Sequence, residues 1–165
     1  MFFIENIHSG KLKLSDFKLV ECTPANLNKA RKNSTMSSIK DIWHTDKLHN
    51  SAIWEDDSGN PIACVSVYHS PNKNDRYIGR YWINNLEVSK KYRNKDLGRQ
   101  VLDYAVKHMH GDAIIVNADN DIAFKLYKNY GFKVGSDTEV KRNGKIEYYQ
   151  MYYGKFPDGI TPFRR

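Results

Sequence analysis

Residues 84–99 read Asn-Asn-Leu-Glu-Val-Ser-Lys-Lys-Tyr-Arg-Asn-Lys-Asp-Leu-Gly-Arg, and no other stretch constrains the fold as much. An alternating strand ends at Val88, a short basic loop follows, and an amphipathic helix begins near Leu97. The helix runs on through Val101, Leu102, Ala105, Val106 and Met109, a stripe at helical spacing that packs back on the strand. A basic loop feeding a helix start presents unpaired backbone N–H groups and the positive end of the helix dipole. Strand, loop and helix therefore form one unit, and its loop suits a phosphate group.

The rest of the chain frames that unit as one α/β layered domain of 165 residues, long enough to bury a core. Residues 17–21 alternate and predict a first strand. Thr23-Pro24 is a helix cap followed by proline at the first helical position, so a short helix passes through Leu27 and Ala30. A second helical stretch covers residues 38–44. Residues 50–56 and 62–69 are β-rich and flank Asp56-Asp57-Ser58-Gly59-Asn60, which predicts a hairpin. Residues 70–75 read as a turn before a long strand over 77–88. A strand is expected at 113–116, then a helix, then a hairpin around Asn143-Gly144 with its second strand over 146–153. Residues 1–153 are expected to form the domain, and 154–165, with Pro157 and Pro162, an extended C-terminal tail.

Composition narrows the setting. No apolar run approaches the ~18 residues a membrane span needs, and the start Met1-Phe2-Phe3-Ile4-Glu5-Asn6 lacks the basic and apolar regions of a secretory signal. Cys22 and Cys64 are expected as free thiols in a reducing cytoplasm. The net charge of +7 is high for this length. Part of it can line an anion site, and the remainder suits either an acidic partner such as nucleic acid or a plain solvated surface. No cysteine and histidine spacing suggests a metal site.

Two motifs in order resemble the GNAT superfamily of acetyl-CoA-dependent N-acetyltransferases. The first is Leu86-Glu87-Val88 followed by Arg93-Asn94-Lys95-Asp96-Leu97-Gly98, similar to the family's Leu-x-Val and Arg-x-x-Gly-x-Gly. The second is Asn120, Ala123, Tyr127 and Gly131-Phe132, at the family's spacing. The resemblance covers roughly residues 50–153 and implies a mixed, mostly antiparallel sheet with helices on both faces. It also implies transfer of an acetyl group from acetyl-CoA to a primary amine by direct attack in a ternary complex, without a metal. The protein would be a monomer or homodimer. One departure stands out: Asp96 occupies a position where the family usually has glycine. Aspartate tolerates unusual backbone angles and is a favoured helix cap, so Asp96 is expected to cap the helix with its side chain turned from the ligand.

By the same resemblance, Leu86 and Val88 would pair their backbone with the pantetheine arm, and Arg93, Asn94, Lys95, Asp96, Gly98 and Arg99 would surround the diphosphate. Asn120 would contact the cofactor arm, although a plain helix cap explains it equally. Tyr127 would be the general acid, since a phenol with pKa ≈ 10 holds its proton at neutral pH. Its alternative is a core aromatic beside Phe124 and Tyr130. Glu87 is the best-placed candidate base, on the strand face opposite Leu86 and Val88 that it is expected to share with Ile83 and Asn85. A cross-strand ion pair is its alternative, and a water relay would need no single base. His69 is a second choice, while His108 and His110 suit the C-terminal end of a helix dipole. The competing function is a catalytically weak or inactive module of the same fold that binds nucleic acid or protein through a basic surface; a longer acyl-CoA is a further alternative. The acceptor amine itself is not legible.

Overall fold

The computed structural model describes residues 10–41, 49–69 and 81–154. Among them, seven strands form a single sheet: β1 (Lys18–Val20), β2 (His49–Glu55), β3 (Pro61–His69), β4 (Tyr81–Val88), β5 (Ala113–Asn117), β6 (Lys133–Arg142) and β7 (Lys145–Tyr152). Their order is β1-β2-β3-β4-β5-β7-β6, and every neighbouring pair is antiparallel except β4 and β5. Four α-helices accompany the sheet among the described residues: α1 (Pro24–Asn33), α2 (Ser37–Asp41), α3 (Leu97–Met109) and α4 (Asp121–Tyr130). The expected mixed, mostly antiparallel sheet with helices on both faces is what forms. The second helical stretch begins at Ser37, and its expected residues 42–44 lie outside the described residues, as do the turn at 70–75, the strand start at 77–80 and the tail beyond 154.

Local chemistry sets these boundaries. Thr23 accepts a hydrogen bond from the Asn26 N–H at 3.2 Å and Pro24 opens α1, so the cap and the proline act together. Asp56 Oδ1 accepts from the N–H groups of Ser58 and Asn60 at 2.9 and 3.0 Å, which closes the β2–β3 turn. Asn143 and Gly144 have φ of 52° and 77°, the left-handed pair that a tight hairpin between β6 and β7 requires. Gly131, at φ 124°, ends α4 by donating to the Tyr127 and Lys128 carbonyls.

The stripe on α3 buries Leu97, Val101, Leu102 and Ala105 completely or nearly so, against Val65 and Val67 of β3, Ile114 and Val116 of β5 and Met151 of β7. On the other face, Leu27 and Ala30 of α1 and Ile39 of α2 pack on Ile53 and Cys64. Full burial of Leu27 or Ile39 contributes roughly 1.5–3 kcal/mol each, so even the short α2 is fixed by its single apolar anchor.

One irregularity decides the shape of the centre. Ser66 pairs with Asn85 but Val67 pairs with Ile83, so Asn84 is an extra residue that bulges from β4. Ile83 therefore lies on the α3 side with Leu86 and Val88, in the main core. This corrects the expectation that Ile83 shares a face with Asn85 and Glu87: strict alternation fails because the bulge shifts the phase by one residue. β4 and β5 pair only through Trp82–Ala113 and Ile83–Ile114. Past the bulge the two strands separate, since a bulge bends its strand and increases the local twist.

Burial, with the Glu87 charge adding to it, pushes the Cys64 thiol up to about 12; burial pushes that of Cys22 up to about 11. The unfolded thiols ionise near pH ~8.5, so from there upward the unfolded state loses protons that the folded state keeps, and stability falls as pH rises. Replacing Cys64 by alanine is expected to lessen that fall between pH ~9 and ~11 by up to about 1.4 kcal/mol per pH unit. Urea unfolding across that window measures it.

Candidate active site

The separation of β4 from β5 leaves one edge of β4 without a neighbour strand. Which residues offer their backbone there follows from a single bond: Ser89 N–H donates to the Ile62 carbonyl of β3 at 2.8 Å. Backbone groups alternate in direction along a strand, so Glu87 and Asn85 also turn toward β3, whereas Leu86 and Val88 turn toward the gap. The Val88 carbonyl accordingly accepts from Arg93 Nε at 3.0 Å and not from β3.

The free edge runs directly into a strained loop. A one-turn helix at Lys90–Tyr92 precedes Arg93, and then Asn94 and Asp96 both adopt left-handed backbone, with φ of 62° and 66°. Asn and Asp tolerate this region best among residues with a side chain. Glycine, usual in the resembled motif at position 96, would adopt it without strain. Asp96 stands at the cap position of α3 but makes no capping bond. Its carboxylate instead takes Arg99 in a two-point pair, Nε to Oδ1 at 3.0 Å and Nη2 to Oδ2 at 2.9 Å. The expected cap is thus corrected in its chemistry: left-handed backbone aims the carboxylate toward Arg99, away from the N–H groups that a cap satisfies. The first helical bond runs from Gln100 N–H to the Asp96 carbonyl at 3.4 Å, which leaves the N–H groups of Leu97, Gly98 and Arg99 ahead of it. A methyl group at Gly98 would meet only Leu126 at 3.7 Å, an ordinary contact. Packing within the protein does not demand glycine there.

The loop is held from behind by residues 12–14. Leu12 N–H donates to the Lys95 carbonyl at 2.9 Å, Gln100 Nε2 donates to the Leu12 and Asp96 carbonyls at 2.7 and 3.1 Å, and Gln100 Oε1 accepts from Leu14 N–H at 2.8 Å. Sequence reasoning missed Gln100. Its signal was a polar residue three positions after Leu97, on the inner flank of an apolar stripe.

Glu87 faces the opposite side of the sheet, across from Cys64. Its Oε1 accepts from Ser38 N–H at 3.0 Å and Ser37 Oγ at 3.2 Å, both in the first turn of α2, and its Oε2 lies 3.6 Å from Arg93 Nη2. Its ion-pair partner is thus a residue of the adjacent loop. Tyr127 sits on the α3 side, buried within the main core with its ring edge-on to Phe132 at 5.7 Å. Burial pushes its phenol above the ordinary range. The two candidate catalytic side chains therefore flank β4 from opposite faces. Asn120 caps α4, its Oδ1 accepting from Ala123 N–H at 3.1 Å. His69 stacks on Tyr81 at 4.1 Å, at the end of β4 remote from the loop. Among the described residues, no three His, Cys, Asp or Glu side chains converge to hold a metal ion, and no helix is long and apolar enough to cross a membrane.

A strand edge left open past a bulge thus leads into a left-handed loop and the start of a helix. The chain belongs to the acetyltransferase (GNAT) family, whose sequence profile matches residues 18–132. It is similar in structure to mutant forms of the spermidine/spermine N-acetyltransferase SpeG from Vibrio cholerae, with 18% identity over 83% of this chain and 93% of that one, at a TM-score of 0.55. The ribosomal-protein-S18-alanine N-acetyltransferase from Escherichia coli matches with 13% identity over 88% and 99% of the two chains, at a TM-score of 0.59. NAA60 from Arabidopsis thaliana, in complex with a bisubstrate analogue, matches with 17% identity over 83% and 97%, at 0.55. At these identities the likeness concerns the fold. No curated protein matches the sequence significantly.

Gln100→Ala removes both side-chain partners of residues 12–14 in a half-buried setting. It should destabilise the fold by about 1–3 kcal/mol, read from the urea midpoint at unchanged m-value.

Proposed function

We propose that this acetyltransferase transfers the acetyl group of acetyl-CoA to a primary amine by direct attack within a ternary complex. The observation that carries this reading is the continuity of the open β4 edge at Leu86 and Val88 with the uncapped start of α3. A thioester on an amide-bearing arm and a diphosphate need those two features in that order. Leu86 and Val88 pair with the arm. Backbone N–H groups around Asn94, Lys95, Asp96 and Gly98 receive the diphosphate, with Arg93 and Arg99 supplying charge. Asn120, while capping α4, borders the arm.

In the reaction, the amine nitrogen bonds to the thioester carbonyl carbon, the carbon–sulfur bond breaks, and the sulfur leaves as a thiolate that needs a proton. Tyr127 is the proposed donor. Burial keeps this phenol protonated at neutral pH. Glu87 is the proposed acceptor of the proton that the substrate's ammonium group gives up before the neutral amine attacks, directly or through water. Two buried free thiols fit a reducing cytoplasm. The acceptor's class stays at primary amines, and the net charge of +7 suits one carried on an acidic molecule better than a polycation.

Thermal unfolding with and without acetyl-CoA tests the reading. Cosubstrate at 100 times its dissociation constant should add ~2.7 kcal/mol of stability, whereas a non-catalytic module of the same fold would show no shift.

Tyr127→Phe should retain the fold and the acetyl-CoA affinity while turnover on an amine panel falls by roughly 10²-fold. Unchanged release of free thiol would remove Tyr127 from the reaction. Asp96→Gly relieves the left-handed strain and removes a negative charge from the loop, so acetyl-CoA affinity by titration calorimetry should rise by about 1 kcal/mol. Equal or weaker binding by the glycine variant would show that the pairing with Arg99 already keeps this charge out of the site.

A further inference from the structure

One carboxylate touches both halves of the proposed site. Glu87 holds α2 through Oε1, by Ser38 N–H at 3.0 Å and Ser37 Oγ at 3.2 Å, and meets the loop through Oε2, 3.6 Å from Arg93 Nη2. The same guanidinium donates from Nε to the Val88 carbonyl at 3.0 Å, a backbone group that faces the gap between β4 and β5. Glu87 is largely enclosed while Arg93 is half exposed, with side-chain exposures of 19% and 52%. A pair at that distance with one member in water is weak and easily exchanged. A diphosphate offers a guanidinium more charge and a two-point geometry, and so competes well for it.

Building on the proposed cosubstrate site, we infer that Glu87, besides its proposed part as proton acceptor, couples the diphosphate loop to α2. When a diphosphate draws Arg93 to itself, the Glu87 carboxylate loses its only cationic partner among the described residues, and its charge acts undivided on the two donors of α2. The first turn of α2 is then held more firmly. α2 lies on the face of the sheet opposite α3, with Ile39 packed on Ile53 of β2 and Cys64 of β3, and it meets β4 through Glu87. Occupancy of the loop is thereby transmitted through the sheet to the side on which Glu87 stands ready for an amine. The coupling is a difference in free energy between two arrangements of one side chain, so it acts equally in both directions.

CoA is the probe. Calorimetry reads whether it binds, and hydrogen exchange at the Ser38 amide and its α2 neighbours reads whether the signal arrives. In the wild-type protein, saturating CoA should slow that exchange by up to about fivefold, the most that losing a half-exposed ion pair transmits. In Glu87→Gln, which keeps the shape and an acceptor oxygen but not the charge, CoA should still bind while the slowing disappears. Ser37→Ala, which removes one donor, should reduce it. Binding of CoA without slower exchange in α2, or equal slowing in wild type and Glu87→Gln, overturns the coupling and leaves the proposed function standing. Failure of CoA to bind the wild-type protein overturns both.

Discussion

β4 and β5 share two residue pairs and then part, and the site depends on that parting. Two parallel strands in the middle of a sheet would normally satisfy one another along their length, leaving no backbone for anything else. Here Asn84 interrupts the register just beyond Ile83–Ile114, and the added twist carries the rest of β4 away from its neighbour. The cost is a row of backbone groups at Leu86 and Val88 without a strand to bond. Such a cost persists because the rest of the structure holds both sides rigid: α3 locks β4 from one face, and β7 pairs with β5 along all five of its residues.

The loop that follows shows the same pattern of local expense supported from elsewhere. Two residues with side chains adopt left-handed backbone within three positions, Asn94 and Asp96, each at a cost of order 1 kcal/mol. Residues 12–14 and Gln100 hold the turn in place with four hydrogen bonds, three of them involving the glutamine side chain. Where an L-residue replaces a glycine, the surroundings must over-determine the conformation. Gln100 supplies much of that constraint.

The sequence was legible where chemistry is local. Thr23-Pro24, the Asp56 turn and Asn143-Gly144 each carry their own hydrogen bonds or backbone angles, so their places in the chain predicted their structure. The α3 stripe was legible for a related reason, since helical spacing alone puts Leu97, Val101, Leu102 and Ala105 on one side. Three features were not legible: the bulge at Asn84, the turning of Asp96 to Arg99, and the grip of Glu87 on α2. Each depends on a partner strand's register, a backbone angle or a residue some fifty positions away, and periodicity in one segment contains none of those.

The amino-acid sequence by itself determined the order of elements, the apolar faces and the family, because spacing and turn chemistry act within a few residues of the chain. It also brought Leu86, Val88 and the Arg93–Arg99 loop into one contiguous stretch. Only the tertiary structure decided that β4 would be left open past Asn84, that Tyr127 and Glu87 would stand on opposite faces of that strand, and that one carboxylate would join Arg93 to α2. The reason is geometric. A strand's free edge and the two sides of a sheet exist only once other strands have paired, and that pairing couples residues far apart in the chain.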